Sequence, residues 1–312
     1  MTEMRMLPAR LHENISRVFL GKPEVVKLAL VTLLADGHLL LEDVPGVGKT
    51  LLAKAIAKSL DCTFHRIQFT PDLLPSDLLG TSIYRPATGE FVFQPGPIFA
   101  QVILADEINR ATPRTQSALL EAMSERTVSL DGLTRTLASP FLVLATQNPF
   151  EFEGTYPLPE SQLDRFLLRT SIGYPDRQAE RALLLEHRAG EPVEHLQSVL
   201  KAEDVIRIQA IVREIKVSEA LADYILDIIE ATREHPQVSL GVSTRGALAL
   251  YRASQAMAYL SGRDYAIPED VRQLALPVMG HRLLIKQWNP AEREGIIRTI
   301  VAELLNRIPV PA

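Results

Sequence analysis

Leu39-Leu40-Leu41-Glu42-Asp43-Val44-Pro45-Gly46-Val47-Gly48-Lys49-Thr50 is the stretch around which the chain is read. A short apolar run feeds a Gly-rich turn, and Lys49-Thr50 opens Leu51-Leu52-Ala53-Lys54-Ala55-Ile56-Ala57-Lys58, a run that reads as a helix. Strand, loop and helix in that order are the context a phosphate-binding loop requires. Gly46 and Gly48 lack a Cβ, so the backbone there can turn its N–H groups toward a polyphosphate. The helix N-terminus adds donors and a favourable dipole. Candidate phosphate-contacting residues are therefore Asp43, Val44, Pro45, Gly46, Val47, Gly48, Lys49, Thr50 and Leu51. Lys49 has the reach for the terminal phosphates, and the Thr50 hydroxyl suits Mg²⁺. Asp43 stands where G-x-x-x-x-G-K-[ST] has its first glycine, but the Gly-Lys-Thr that touches phosphate is intact. The plainer alternative is a Gly-rich turn with a solvated lysine.

A length of 312 residues suggests about two domains with room for a substantial core. Net charge of −5 gives no basic field for general nucleic-acid binding. A single cysteine, Cys62, rules out an internal disulfide and reads as a small core residue. No apolar run has the length of a bilayer span, and Met1-Thr2-Glu3-Met4-Arg5-Met6 does not look like a secretory leader, so a cytoplasmic location is expected.

Along the chain, residues 12–20 read as a short amphipathic helix, and a second helix starts at Pro23 and stops at Asp36-Gly37. A strand is expected at Phe64–Phe69. Residues 70–100 break the alternation, with a helical turn near Pro75 and a loop-strand over Gly89–Pro97. Such a segment is either functional or a surface excursion. Val102-Ile103-Leu104-Ala105-Asp106-Glu107 is a buried-strand run ending in two carboxylates, which delivers them to the crevice where open α/β sheets bind ligands. Asp106 is placed for a Mg²⁺ shell and Glu107 to orient or deprotonate a water, the alternative being an acidic cap on the helix that Pro113 begins. Thr127–Leu137 reads as a hairpin about Asp131-Gly132. Phe141–Thr146 is another buried strand, closed by Gln147-Asn148-Pro149. Asn148 either senses a phosphate or positions water, or simply forms a turn. Before a last strand at Phe166–Ser171 stand Leu163-Asp164-Arg165-Phe166, where Arg165 has two uses: a surface ion pair with Asp164 or insertion into a neighbour's site. From residue 175 the pattern is of helices alone, near 177–189, 202–213, 218–234, 244–261, 268–282 and 290–307. Arg245 opens one of them and either folds back onto a bound nucleotide or is solvated; Trp288 reads as a packing residue.

Phosphate loop, Asp-Glu strand end, Asn strand end, Leu-Asp-Arg-Phe and a helical region bearing Thr244-Arg245 occur here in one order. The set resembles the AAA+ ATPases, and more closely their MoxR family. The matching strings are Glu42–Thr50, Phe93–Phe99, Leu104–Arg110, Ala145–Pro149 and Leu163–Phe166. The resemblance implies an α/β P-loop core with a parallel five-stranded sheet in order 5-1-4-3-2 and a C-terminal all-α lid, divided at residues 1–174 and 175–312. It implies ATP and Mg²⁺, with Lys49 and Thr50 as the Walker A pair and Asp106 and Glu107 as the Walker B pair, Asp106 meeting the metal through water. Asn148 becomes sensor 1, Arg165 the arginine finger on an adjacent subunit, and Arg245 sensor 2. Segments 70–100 and 127–138 match inserts that face a ring's pore or partner side. The implied activity is ATP hydrolysis in a homo-oligomeric ring, expected to be a hexamer, with chaperone-like maturation of client complexes, often beside a partner carrying a von Willebrand A domain and a bound metal. The rival readings are a chelatase-type motor subunit and a nucleotide-gated binding module with little turnover.

Overall fold

The computed structural model describes residues 2–148, 154–186, 192–286 and 292–311, so Pro149 and Trp288 lie outside the described residues. In chain order it begins with helices α1 (Thr2–Ser16) and α2 (Pro23–Leu34), strand β1 (Leu39–Glu42), helix α3 (Lys49–Ser59), strand β2 (Phe64–Gln68) and helix α4 (Pro75–Leu79). Strands β3 (Gly80–Arg85), β4 (Glu90–Pro95) and β5 (Val102–Asp106), helix α5 (Pro113–Glu125), and strands β6 (Thr127–Leu130), β7 (Leu133–Thr136) and β8 (Leu142–Gln147) follow. Helix α6 (Glu160–Leu163) and strand β9 (Leu168–Thr170) complete the sheet. Thereafter come α7 (Arg177–Glu186), α8 (Ala202–Arg213), α9 (Glu219–Glu234), β10 (Val238–Leu240), α10 (Thr244–Leu260), α11 (Pro268–Met279), β11 (Leu284–Ile285) and α12 (Arg293–Arg307).

The main sheet has the order β2-β5-β8-β1-β9, and every neighbouring pair is parallel. Read from the β9 edge, this is the expected 5-1-4-3-2. Parallel strands are buried on both faces, and alternate residues of each strand here enter different cores. Leu39, Leu41, Leu104 and Leu144 join one core with α1, α2, α3 and the C-terminal helices. Leu40, Ile103, Ala105, Val143 and Ala145 join the other with Leu119, Leu120 and Met123 of α5. All the strands run the same way, so β1, β5 and β8 deliver Asp43, Asp106 and Gln147 to one end of the sheet.

Three expectations need correction. The first helix spans Thr2–Ser16 rather than 12–20 and contains Pro8. A proline inside a helix removes the donor for the carbonyl four residues earlier; here that carbonyl, Met4 O, accepts from the Tyr259 hydroxyl of α10 at 2.8 Å. Segment 70–100 holds a full antiparallel hairpin, β3–β4, rather than one loop-strand. The C-terminal region is not helical throughout, because β10 pairs antiparallel with β11. The second hairpin, β6–β7, turns at Asp131-Gly132 with both φ values positive, as a two-residue hairpin turn demands. Among the described residues no helix is long and apolar enough to cross a membrane.

His38, just ahead of β1, ties the sheet together from a fully buried position. Its Nδ1 accepts from Val143 N at 3.1 Å, so Nε2 carries the proton and donates to Met123 O at 3.1 Å. Burial, reinforced by the nearby Arg126 charge, pushes its pKa down to about 3. Below the unfolded value the unfolded chain takes up a proton that the folded chain refuses. His38 therefore contributes stability that is complete above pH ~6.5 and is lost as pH falls toward its folded value. His38→Gln is expected to be less stable at neutral pH, while its urea midpoint falls less steeply than wild type between pH 6.5 and 4.5. Parallel losses in the two proteins over that window would contradict a buried neutral imidazole.

Candidate active site

The loop between β1 and α3 is held in shape by its glycines and by one buried cation. Gly46 and Gly48 have φ of +86° and +94°, which favour glycine. A Cβ on Gly48 would also stand 3.2 Å from the Phe19 ring. Lys49, only 9% exposed, donates from Nζ to Asp43 O at 2.9 Å. Burial pushes its ammonium below the usual lysine range, against the pull of the Asp106, Asp43 and Glu107 carboxylates. A desolvated cation at the N-terminus of α3 is a site for an anion. It faces a cavity of about 900 Å³ lined by Pro45, Gly46, Val47, Gly48, Lys49, Thr50 and Leu51, with Asp106 and Glu107 at its polar end. Phe19, Ile172, Tyr174 and Leu183 line its apolar part, which suits a base on a polyphosphate.

Asp43 does something else. Its Oδ1 accepts from Val44 N at 2.9 Å, and its Oδ2 accepts from Ile172 N at 2.5 Å and Gly173 N at 2.7 Å. The carboxylate ties the loop to the chain leaving β9, and that is why an acid can stand at the usual glycine position. Neither Asp43 nor Val44 lines the cavity; Val44 packs against the core.

The two acids at the end of β5 are oriented by neighbours that the sequence reading did not single out. Thr146 of β8, wholly buried, donates to Asp106 Oδ1 at 2.7 Å and accepts from Glu107 N at 2.8 Å. Glu107 sits at φ 58°, a left-handed conformation uncommon for a residue with a side chain. From β2, Arg66 places Nη2 and Nε 2.6 and 3.2 Å from Asp106 Oδ2. Gln68 donates to Glu107 Oε2 at 2.7 Å, and Arg110 reaches the same oxygen at 3.2 Å. The i, i+2 spacing of Arg66 and Gln68, on a strand beside the acids, was the available signal. Thr50 and Asp106 line one cavity, a hydroxyl and a carboxylate of the hard-oxygen kind that Mg²⁺ takes alongside phosphates, so the donor set fits that ion.

Asn148, Arg165 and Arg245 do not line this cavity. Asn148 follows β8, whose Gln147 lies opposite Glu42 and accepts from Asp43 N at 3.1 Å, so it stands beside the phosphate loop. Arg165 makes no bridge to Asp164. Its Nη1 donates to Leu120 O at 2.6 Å, and its buried Nε has no hydrogen-bond partner among the described residues. It lines a second cavity of about 370 Å³ with Ser117, Glu121, Glu125 and Gln162. Arg245, well exposed, stands 3.9 Å from Asp164 Oδ2. Both arginines thus gather around the Asp164 turn, away from the chain's own phosphate loop.

The chain is similar to known proteins over most of its length. Residues 38–168 match the ATPase family associated with various cellular activities, and residues 230–304 match the AAA lid domain. The chain is 51% identical to the uncharacterised protein YeaC of Bacillus subtilis over 96% of its own length and 93% of that protein's. It is 42% identical to chaperone MoxR1 of Mycobacterium tuberculosis, covering 95% of this chain and 82% of the relative. It is 33% identical to protein MoxR of Paracoccus denitrificans, covering 96% and 94%. The crystal structure of a candidate ATPase from Cytophaga hutchinsonii superposes with a TM-score of 0.91 at 39% identity, over 100% of this chain and 97% of that one.

Asp43→Ala would strand the buried N–H of Ile172 and the half-buried N–H of Gly173. A buried donor left unsatisfied costs about 1–3 kcal/mol. The variant is expected to unfold at lower urea and to bind nucleotide more weakly, although Lys49 is untouched. Unchanged urea midpoint and unchanged nucleotide titration would contradict the role of this tie.

Proposed function

This chain belongs to the MoxR family of AAA+ ATPases, and on that premise we propose that it hydrolyses Mg²⁺-ATP at sites shared between neighbouring copies in a ring, expected to be a hexamer. The observation that carries this reading is the separation of parts. The phosphate loop, Asp106 and Glu107 line one cavity, whereas Arg165 lies outside it with a buried Nε that has no partner among the described residues. An arginine so placed has no use for the nucleotide of its own chain and suits that of a neighbour.

In this reading Gly46, Val47, Gly48, Lys49 and Thr50 cradle the phosphates, and Phe19 and Tyr174 flank the base. Thr50 and Asp106, the latter through water, are the residues that would hold Mg²⁺. Bound there, the ion would neutralise charge on the β- and γ-phosphates. Asn148 orients the water that attacks the γ-phosphorus, Glu107 takes its proton, and the bond from that phosphorus to the β–γ bridging oxygen breaks to release ADP. Arg165, and Arg245 with it, stabilise the charge on the phosphoryl group held by the adjacent subunit. The position of Arg245 beside Asp164 supports its acting on the same neighbour as Arg165. Residues 1–174 act as the nucleotide-binding domain and 175–312 as the lid. The hairpins β3–β4 and β6–β7 are then the moving surface. They are joined by the Ser82–Asp131 hydrogen bond and by Arg135 over the Phe93 ring, and they expose Tyr84, Phe91 and Leu133. The work done is remodelling of client protein complexes in the cytoplasm, with a von Willebrand A domain protein as the partner class. The name of the chaperone relative in Mycobacterium tuberculosis supports the client role.

A second reading, a nucleotide-gated binding module with little turnover, draws on the grip of Gln68 and Arg110 on Glu107. A carboxylate held by two donors is a poor base until released.

One experiment tests the shared site. Lys49→Ala and Arg165→Ala proteins are each expected to lose turnover, Arg165→Ala by roughly 10³–10⁵ while still binding ATP. Mixed together, they should recover ATPase activity, since the first still offers a finger and the second still binds ATP. No recovery at any ratio would contradict the shared site, and negligible turnover in assembled wild type would favour the gated module.

A further inference from the structure

The Asp164 turn is gripped by the C-terminal helices. Arg282, in the turn after α11, is 5% exposed. Its Nε donates to Asp164 Oδ1 at 2.7 Å, and its Nη2 donates to Phe166 O at 2.6 Å and to Asp164 O at 3.2 Å. Its Nη1 reaches Leu167 O at 3.2 Å and also Val278 O of its own helix. The neighbouring His281 donates from Nε2 to Phe166 O at 3.1 Å. On the other side of the carboxylate, Ser243 at the start of α10 donates to Asp164 Oδ2 at 3.0 Å. α10 also makes room for the clamp, since a Cβ on Gly246 would lie 2.9 Å from Arg282 Cδ.

Every acceptor that Arg282 finds in this turn belongs to Asp164, Phe166 or Leu167. The first two flank Arg165, and Arg165 itself is left out. Among the described residues its own side chain is held through Nη1, on the α5 side, and its Nε has no partner. We propose that Arg282 is a positioning residue for Arg165: clamped on the backbone either side of it, Arg282 makes the C-terminal helices of one subunit set where that subunit's arginine meets its neighbour's phosphates. This inference rests on the reading of Arg165 as acting in trans. It adds a direction of control. Movement of the C-terminal helices alters the finger offered to the next subunit, and the subunit's own phosphate cavity, which Arg282 does not line, is not the point of action. A lysine would keep the charge but not the clamp, because an ammonium on a flexible stem cannot match a carboxylate and four carbonyls spread around a planar guanidinium.

The test uses mixed full-length subunits. Lys49→Ala supplies a finger but no ATP site, and Arg165→Ala supplies an ATP site but no finger. Arg282→Lys is added to one or the other, and turnover is measured at saturating ATP alongside KM for ATP. In the finger-supplying subunit it is expected to lower kcat by roughly tenfold to a hundredfold with KM unchanged, since a misplacement of about 1 Å costs about 10²-fold. In the ATP-binding subunit it is expected to change kcat by less than about twofold on the same argument. A role confined to stability would lower both arms alike. Equal losses, or no loss in the finger-supplying arm, overturn the positioning role while the parental mixture remains active. An inactive parental mixture overturns the reading of Arg165 and this inference with it. If Arg282→Lys subunits do not fold, as judged by thermal melting, Asp164→Asn is carried through the same two arms, with the same outcomes supporting or overturning the role.

Discussion

A lysine ammonium taken out of water at the start of a helix is the constraint on which the site depends. Lys49 is buried, and three carboxylates pull its pKa up without offsetting the burial that pushes it down. The Lys49 side chain spans back to Asp43 O, the Asp43 carboxylate reaches across to Ile172 and Gly173, and the glycines at 46 and 48 take up left-handed turns. These contacts hold the loop from within the chain.

The second theme is that acids and arginines are kept apart. Asp106 and Glu107 are oriented by Thr146 and contacted by Arg66, Gln68 and Arg110, all within one cavity or at its edge. Arg165, Arg245 and Arg282 converge on the Asp164 turn instead. Asp106 and Glu107 thus line the cavity at the phosphate loop, and these three arginines do not. One continuous apolar core includes Leu39 and Leu41 of β1 together with Leu250, Leu274 and Ile297 of the C-terminal helices.

Much of this was legible in the sequence because its signals are local. Leu39–Leu41, Val102–Ala105 and Leu142–Ala145 are apolar at every position, which marks strands covered on both faces, and Asp131-Gly132 marks its hairpin. The phosphate loop declares itself through Gly-Lys-Thr ahead of a helix. What was not legible depends on partners far along the chain. A helix running through Pro8 needs the hydroxyl of Tyr259, and the tie made by Asp43 needs the backbone of residues 172 and 173. Arg66 and Gln68 look like ordinary polar residues of an edge strand until the sheet sets them beside Asp106 and Glu107. Arg282 sits within a segment that reads as helix end, and only the fold brings it onto Asp164.

The central claim is that the site is completed between copies. The most direct measurement is the solution mass of Glu107→Gln protein with and without Mg²⁺-ATP, by light scattering behind size exclusion. Growth from small species to a ring-sized assembly on adding nucleotide is the predicted result. A protein that binds ATP and stays monomeric would leave Arg165 with no neighbouring copy to serve and would contradict the account.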